Sequence, residues 1–396
     1  MIRIPLISFL VLLTALGGII FLNFHEANEY YVNTEVPEKH PPSIKKNLET
    51  DIGFQKPLTS PPTIIRAVYL TSWSAGRGSV IDYIIDLSKK TDLNAVVIDI
   101  KDFSGFITYD TSVSDILKYK AKEIRIPKIN SLIKKLHDNN IYVIARITVF
   151  EDGRLALARP DLAVQNLSFY STSSAPTTST IWRDRKNLAW VDPASTEVWD
   201  YIVKISRDAA ARGFDELNFD YIRFPSDGDL NLLYFSHWDQ KTPYHFVIRS
   251  FFKYLREHLN GVRLSADLFG LATVSKNDLG IGQLIEDAYE YFDFVSPMIY
   301  PSHYSFGFDG CKEPARCPYV MVSHSMASAL ERLAISSGTI AGLRPWLQDF
   351  DLLGVSYGLS EVKAQIQAVK DTTSSSFRGF MLWNAGNNYT IDALND

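Results

Sequence analysis

Two aspartates stand out by position. Asp220 closes the strand-like run Glu216-Leu-Asn-Phe-Asp220, and Asp267 closes the next, Arg263-Leu-Ser-Ala-Asp267. Glycosidic cleavage needs such a pair. One carboxyl, kept protonated, delivers a proton to the leaving oxygen; the second, ionised, serves as nucleophile or as base for water. Carboxyl separation sets the stereochemistry, roughly 5–5.5 Å for retention and about 6.5–9.5 Å for inversion. Neighbouring strands lie about 4.8 Å apart, so carboxylates ending adjacent parallel strands fit either geometry. Arg223 stands close enough in sequence to hold one carboxylate ionised while an apolar setting keeps the other protonated. Tyr221, Tyr300, Trp346 and Trp383 offer flat faces for a sugar ring, although each serves equally well in a core. Asp349 and Asp102 are substitute acids, placed one residue off the parity of Gln348 and Lys101.

Strands ending in these residues must be arranged so that their C-terminal ends meet. From residue 65 onward, strand-like and helix-like segments alternate. Strands are predicted at 65–71, 95–100, 141–148, 215–221, 262–268, 293–299, 339–345 and 378–383. Helices are predicted at 80–90, 129–139, 196–212, 246–259, 281–291, 326–336 and 360–372. Eight alternations predict an α/β chain folded as a (β/α)8 TIM barrel, with its site at the C-terminal ends of the strands. A doubly wound sheet fits less well, because Thr71-Ser-Trp-Ser-Ala-Gly-Arg-Gly78 lacks the G-x-G-x-x-G turn.

Alternation along each strand groups Asp99 with Lys101, Arg146 with Thr148, Asn218 with Asp220, Ser265 with Asp267, Arg344 with Trp346 and Gln348, and Met381 with Trp383. The polar sets are expected to line the barrel axis and the apolar sets to pack on the helices. Asp99, Lys101, Arg146 and Gln348 are therefore candidate substrate contacts, with an internal ion pair among Asp99, Lys101 and Arg146 as the competing role.

The remaining features concern location and partners. Ile4 to Phe24 carries no charge over about 21 residues, follows Arg3 and precedes Glu26 and Glu29. It reads as a membrane anchor with the rest of the chain outside the cytoplasm, a cleaved signal peptide being the alternative. Residues 25–62 form a polar, proline-bearing linker, and 63–396 the barrel domain. Cys311 and Cys317 suit a small disulfide loop in an oxidising compartment, or two free thiols. With 46% hydrophobic residues and a net charge of −5, global disorder is excluded and nucleic acid is disfavoured as a partner. Neither G-x-S-x-G nor H-E-x-x-H occurs, and the spacing of His237, His245 and His303 suggests no metal site. No cofactor is called for; the expected partners are a polysaccharide or oligosaccharide and the membrane.

Several segments together resemble a known family, the putative glycosyl hydrolase domain found in bacterial exported proteins. They include Val97-Ile-Asp-Ile-Lys-Asp102, Ala145-Arg-Ile-Thr-Val-Phe150, Trp190-Val-Asp-Pro193, Ser296-Pro-Met-Ile-Tyr-Pro301 and Arg344-Pro-Trp-Leu-Gln348. Asn218-Phe-Asp-Tyr-Ile-Arg-Phe-Pro225 is the most specific, followed by Ser265-Ala-Asp-Leu-Phe-Gly270. The resemblance covers about residues 64–390. It implies a glycoside-hydrolase-like barrel in an exported protein. The strand-four run is also similar to that of amylase-type barrels, which implies Asp220 as nucleophile and Asp267 as acid/base. Amylase-type enzymes carry Glu on strand five, where this chain has the shorter Asp.

Overall fold

The computed structural model describes residues 50–396 except 174, 353 and 396. The expected membrane segment, 4–24, and most of the expected linker lie outside the described residues. Among the described residues no helix is long and apolar enough to cross a membrane.

Eight parallel strands close on themselves. They are β1 (Ile65–Leu70), β2 (Ala95–Lys101), β3 (Tyr142–Thr148), β4 (Glu216–Asp220), β5 (Arg263–Phe269), β6 (Phe294–Ile299), β7 (Gly342–Leu343 and Trp346–Gln348) and β8 (Gly379–Trp383). Each pairs with the next, and β8 returns to β1, with Ile65 opposite Gly379. Gly379 has φ of +96°, and a Cβ there would lie 1.7 Å from the Ile65 carbonyl oxygen, so the closing seam requires glycine.

Among the described residues, seven of the longer helices form the outer layer: α1 (Gly78–Lys90), α2 (Ile129–His137), α3 (Thr196–Ala211), α4 (Tyr244–His258), α5 (Ile285–Tyr291), α6 (Pro318–Ile335) and α7 (Leu359–Thr373). After β8, the described chain makes only a 3-10 turn, Ile391–Leu394. The helices bury apolar stripes, such as Ile81, Ile84 and Ile85 on α1, against one face of the strands. That outward face is Val68, Val96, Ile98, Val143, Ala145, Leu217, Phe219, Leu264 and Ala266. The inward face is not polar throughout. Ala67, Val97, Ile144, Met298 and Met381 form a second apolar cluster inside the barrel, and the polar residues expected on that face share it with them.

Three elements differ from the sequence expectation by more than two residues; one is α5, which begins at Ile285 rather than at residue 281. The seventh strand lies at 342–348 rather than 339–345, interrupted at Arg344-Pro345 because proline has no N–H for the ladder. Helix α6 begins eight residues earlier than expected, with Pro318 in its first turn. Its buried positions Met321, Val322, Ser325, Met326 and Ala329 follow helical spacing.

The last part of the expected linker, 50–62, packs under the N-terminal end of the barrel. The Asp51 carboxylate accepts from Asn130 N at 2.6 Å and Ser131 N at 3.1 Å, satisfying free N–H groups at the start of α2. Gln55 N donates to Arg212 O at 3.2 Å and Leu58 N to Asp215 Oδ1 at 2.6 Å.

Candidate active site

The C-terminal ends of the strands surround a cleft lined by Arg146, Asp220, Asp267 and aromatic rings. Arg146 of β3 lies at its floor. Nη1 donates to Asp99 Oδ1 of β2 at 2.6 Å, and Nη2 to Asp220 Oδ2 of β4 at 2.5 Å. Nε lies 3.9 Å from Asp267 Oδ2 of β5. One guanidinium thus reaches three carboxylates from three strands. The register explains the meeting: Arg146 pairs with Asp99 on one side and Asn218 on the other. Phe219 opposes Ala266, which puts Asp220 and Asp267 on the next rung.

The carboxyls sit in different fields. Burial, and then the Asp220 charge, push Asp267 well above the usual carboxylate range; Arg146 opposes this only in part. Asp267 Oδ1 accepts from Asn218 Nδ2 at 2.8 Å, whereas buried Oδ2 has no hydrogen bond. Asp267 is therefore the carboxyl suited to carry a proton. Burial also raises Asp99 to about 6, against the pull of Arg146; the Tyr69 hydroxyl donates to its Oδ2 at 2.5 Å. Asp220 is fixed on both oxygens, Oδ1 accepting from Tyr221 N at 2.6 Å and Oδ2 from Arg146.

Tyr221 has φ of +53°, the left-handed region that a bulky residue seldom occupies. This turn ends the alternation of β4. Strand parity alone would send Tyr221 to the outer face, yet it lines the cleft together with Asp220 and Arg223. Arg223 is not the cation that holds Asp220. That part is taken by Arg146, because the same turn carries Arg223 away among aromatic rings, 4.8 Å from the Trp190 centroid and 4.9 Å from that of Phe269.

Tyr300, Trp346 and Trp383 also line the cleft. Trp383 stacks on Tyr69 with centroids 4.0 Å apart, and the Arg146 guanidinium lies 5.1 Å from its ring. Trp346 stands edge-on to Trp383 at 87°.

Four candidates are placed elsewhere. A bulge between Asp99 and Lys101 turns Lys101 out of the barrel, where it is fully buried and pairs with Asp152 Oδ2 at 3.0 Å. Gln348 is buried, donating to Ser302 Oγ at 2.8 Å and Phe350 O at 2.9 Å, which fixes the loop after β6. Asp349 receives Thr390 N at 2.8 Å and Thr390 Oγ1 at 2.7 Å, tying down the C-terminal segment. Asp102 forms an ion pair with Arg125. Cys311 and Cys317 are joined as a disulfide in the loop before α6.

Loop residues that periodicity does not reveal complete the lining: Glu151, Asp184, Lys186, Asp227 and His303. Burial depresses His303 to about 3, so its imidazole is neutral. Among the described residues, no three His, Cys, Asp or Glu side chains are grouped to hold a metal. Deeper in the barrel, Arg344 pairs with Glu216, both fully buried, and Tyr142 Oη donates to Glu216 Oε2 at 3.1 Å.

Residues 67–389 match the family described as "Putative glycosyl hydrolase domain". The chain belongs to that family. The putative glycosyl hydrolase domain thus runs from Ala67 within β1 past the end of β8 and includes every cleft residue named above. No curated protein matches the chain. A hypothetical protein from Ruminiclostridium thermocellum is 36% identical over 50% of this chain and 96% of its own, with a TM-score of 0.45. Alpha-L-fucosidase isoenzyme 2 from Paenibacillus thiaminolyticus is 11% identical over 84% of this chain, with a TM-score of 0.54. A beta-N-acetylhexosaminidase is 11% identical over 81% of this chain, with a TM-score of 0.50. The chain spans 48% of that fucosidase and 66% of that hexosaminidase. At such identity the likeness is one of fold.

Proposed function

We propose that this member of the putative glycosyl hydrolase domain family is a glycoside hydrolase acting on a polysaccharide or oligosaccharide. Asp267 is the proton donor and Asp220 the ionised partner, acting as nucleophile or as base for water. The observation that carries this reading is the division of labour around Arg146. The guanidinium pairs directly with Asp220 but approaches Asp267 only at 3.9 Å, where burial favours the protonated acid. Two carboxyls on one rung of adjacent strands, one acting as an ionised group and one as a proton donor, are what glycosidic cleavage requires. Tyr221, Tyr300, Trp346 and Trp383 supply the walls for sugar rings. We further propose that residues 4–24 tether the domain to a membrane with the barrel outside the cytoplasm, where the Cys311–Cys317 disulfide is stable.

One observation favours a second reading, a non-catalytic glycan-binding barrel: both Asp220 oxygens are already engaged, by Arg146 and by Tyr221 N. Against it, a carboxylate offers about four lone-pair sites, so single bonds to each oxygen leave room for reaction, and Asp220 lines the cleft. Release of reducing ends from a panel of polysaccharides, with wild type beside Asp220→Asn, separates the two. Release that disappears in a folded variant supports the hydrolase. Binding without release in both proteins supports the second reading.

A further inference from the structure

Buried arginines in this protein come with carboxylates: Arg146 with Asp99 and Asp220, Arg344 with Glu216, Arg212 with Asp208 and Arg125 with Asp102. Arg223 does not. It is only 7% exposed, yet among the described residues it makes no ion pair. Nη1 donates to Ser226 Oγ at 2.9 Å and Phe224 O at 3.2 Å. Nε and Nη2 have no hydrogen bond within the described protein, and neither is sealed from solvent. Ring faces of Trp190, Phe269 and Tyr221 surround the guanidinium, with centroids 4.8, 4.9 and 5.2 Å away. They hold its plane fixed and strip most of its water.

A desolvated cation without a counter-charge is costly, and this one lines the cleft. The acidic neighbours offset it only in part: Asp227 feels the Arg223 charge, but burial works against its ionised form. Asp227 stays beyond ion-pair distance, with its buried Oδ2 unpaired. Asp184 is spent on Leu188 N at 2.8 Å and Trp190 Nε1 at 3.0 Å. Lys186 adds a second positive side chain to the same wall.

We infer that Arg223 is a recognition site for an anionic substituent, a carboxylate or a phosphate, on the sugar that occupies the cleft. The inference rests on the glycan-cleft reading above but not on hydrolysis. A planar guanidinium with one edge anchored and another edge open presents two parallel N–H donors, the geometry that carboxylate and phosphate accept. A neutral sugar would leave Arg223 without a directly bonded counter-ion.

Titration calorimetry with three probes tests it: an oligogalacturonate, the same oligosaccharide after reduction of its carboxyls to alcohols, and a phosphate-substituted oligosaccharide. Wild type is expected to bind at least one anionic probe about tenfold or more tighter than the neutral one at low salt, the order expected for a charge-assisted pair. Which anionic probe wins identifies the substituent. Arg223→Met should reduce that preference to near unity, while Arg223→Lys keeps part of it. Equal binding of charged and neutral probes by wild type overturns the inference, and so does failure to bind any of the three. A preference undiminished in Arg223→Met also overturns it. If Arg223→Met does not fold, the wild-type comparison and Arg223→Lys still decide. Reducing-end release is scored separately. Anionic preference without release counts against the hydrolase alone; release from neutral glycans without preference counts against this inference alone.

Discussion

Arg146 and Asp220 are joined at 2.5 Å through Nη2 while the same guanidinium holds Asp99 at 2.6 Å through Nη1. All three side chains are at most 7% exposed, so water replaces the arginine poorly at either carboxylate. Arg146→Met is expected to lower stability by about 3–5 kcal/mol, the range for removing one partner of a buried ion pair. Reducing-end release should be lost with it. Arg146→Lys keeps the charge but not the two-pronged geometry, and should recover stability more than activity. Thermal melts beside initial rates check both statements. A melting temperature unchanged in Arg146→Met would contradict the reading.

Asp267 and Asp99 give a pH prediction. Both bind their protons more tightly in the folded chain than in the unfolded one. Their contribution is therefore complete below the unfolded carboxyl value, roughly pH 4, and is lost as pH rises through the folded values. For Asp99 that window runs from about 4 to about 6. Asp267→Asn removes the Asp267 share, so its melting temperature should fall less steeply with rising pH than that of wild type. Activity should fall on the alkaline side as Asp267 loses its proton. The Asn variant should be slower by about 10²–10⁴-fold, the range for general acid catalysis. Parallel melting curves for the two proteins would argue against a protonated Asp267.

Lys101 makes the opposite case. It is fully buried against Asp152 and Thr148 O, away from the cleft. Lys101→Met should cost about 3–5 kcal/mol in stability and leave KM of the folded fraction unchanged. A large rise in KM without destabilisation would return Lys101 to the substrate.

The segment 50–62 is predicted to belong to the folded domain. A chain beginning after Pro62 loses the Asp51 contacts to Asn130 and Ser131 and the Leu58 bond to Asp215. It should melt several degrees below a chain beginning at residue 50, since about 1 kcal/mol of lost capping alone lowers the midpoint measurably. Identical melting temperatures would place the boundary at 63.

Alternation of residue types determined a great deal of this protein. A period of 2 in the strands and 3.6 in the helices, repeated over the chain, was enough for the barrel, and parity put Asp99, Arg146, Asp220, Asp267, Trp346 and Trp383 on its inner side. Those rules are local, because backbone geometry fixes where successive side chains point. Local rules fail where the backbone leaves its period. The bulge before Lys101 and the left-handed turn at Tyr221 exchanged the places that parity assigned to them. Only the tertiary structure decided that Arg146, rather than Arg223, holds Asp220, since that pairing joins residues 74 apart in sequence through the register of two strands. It alone brought Glu151, Asp184 and Asp227 from separate loops to the cleft, because loop side chains follow no period and their meeting is set by the closed barrel beneath them. The tighter hold of Asp267 on its proton was likewise invisible in the sequence: burial and the neighbouring Asp220 charge, both products of folding, cause it.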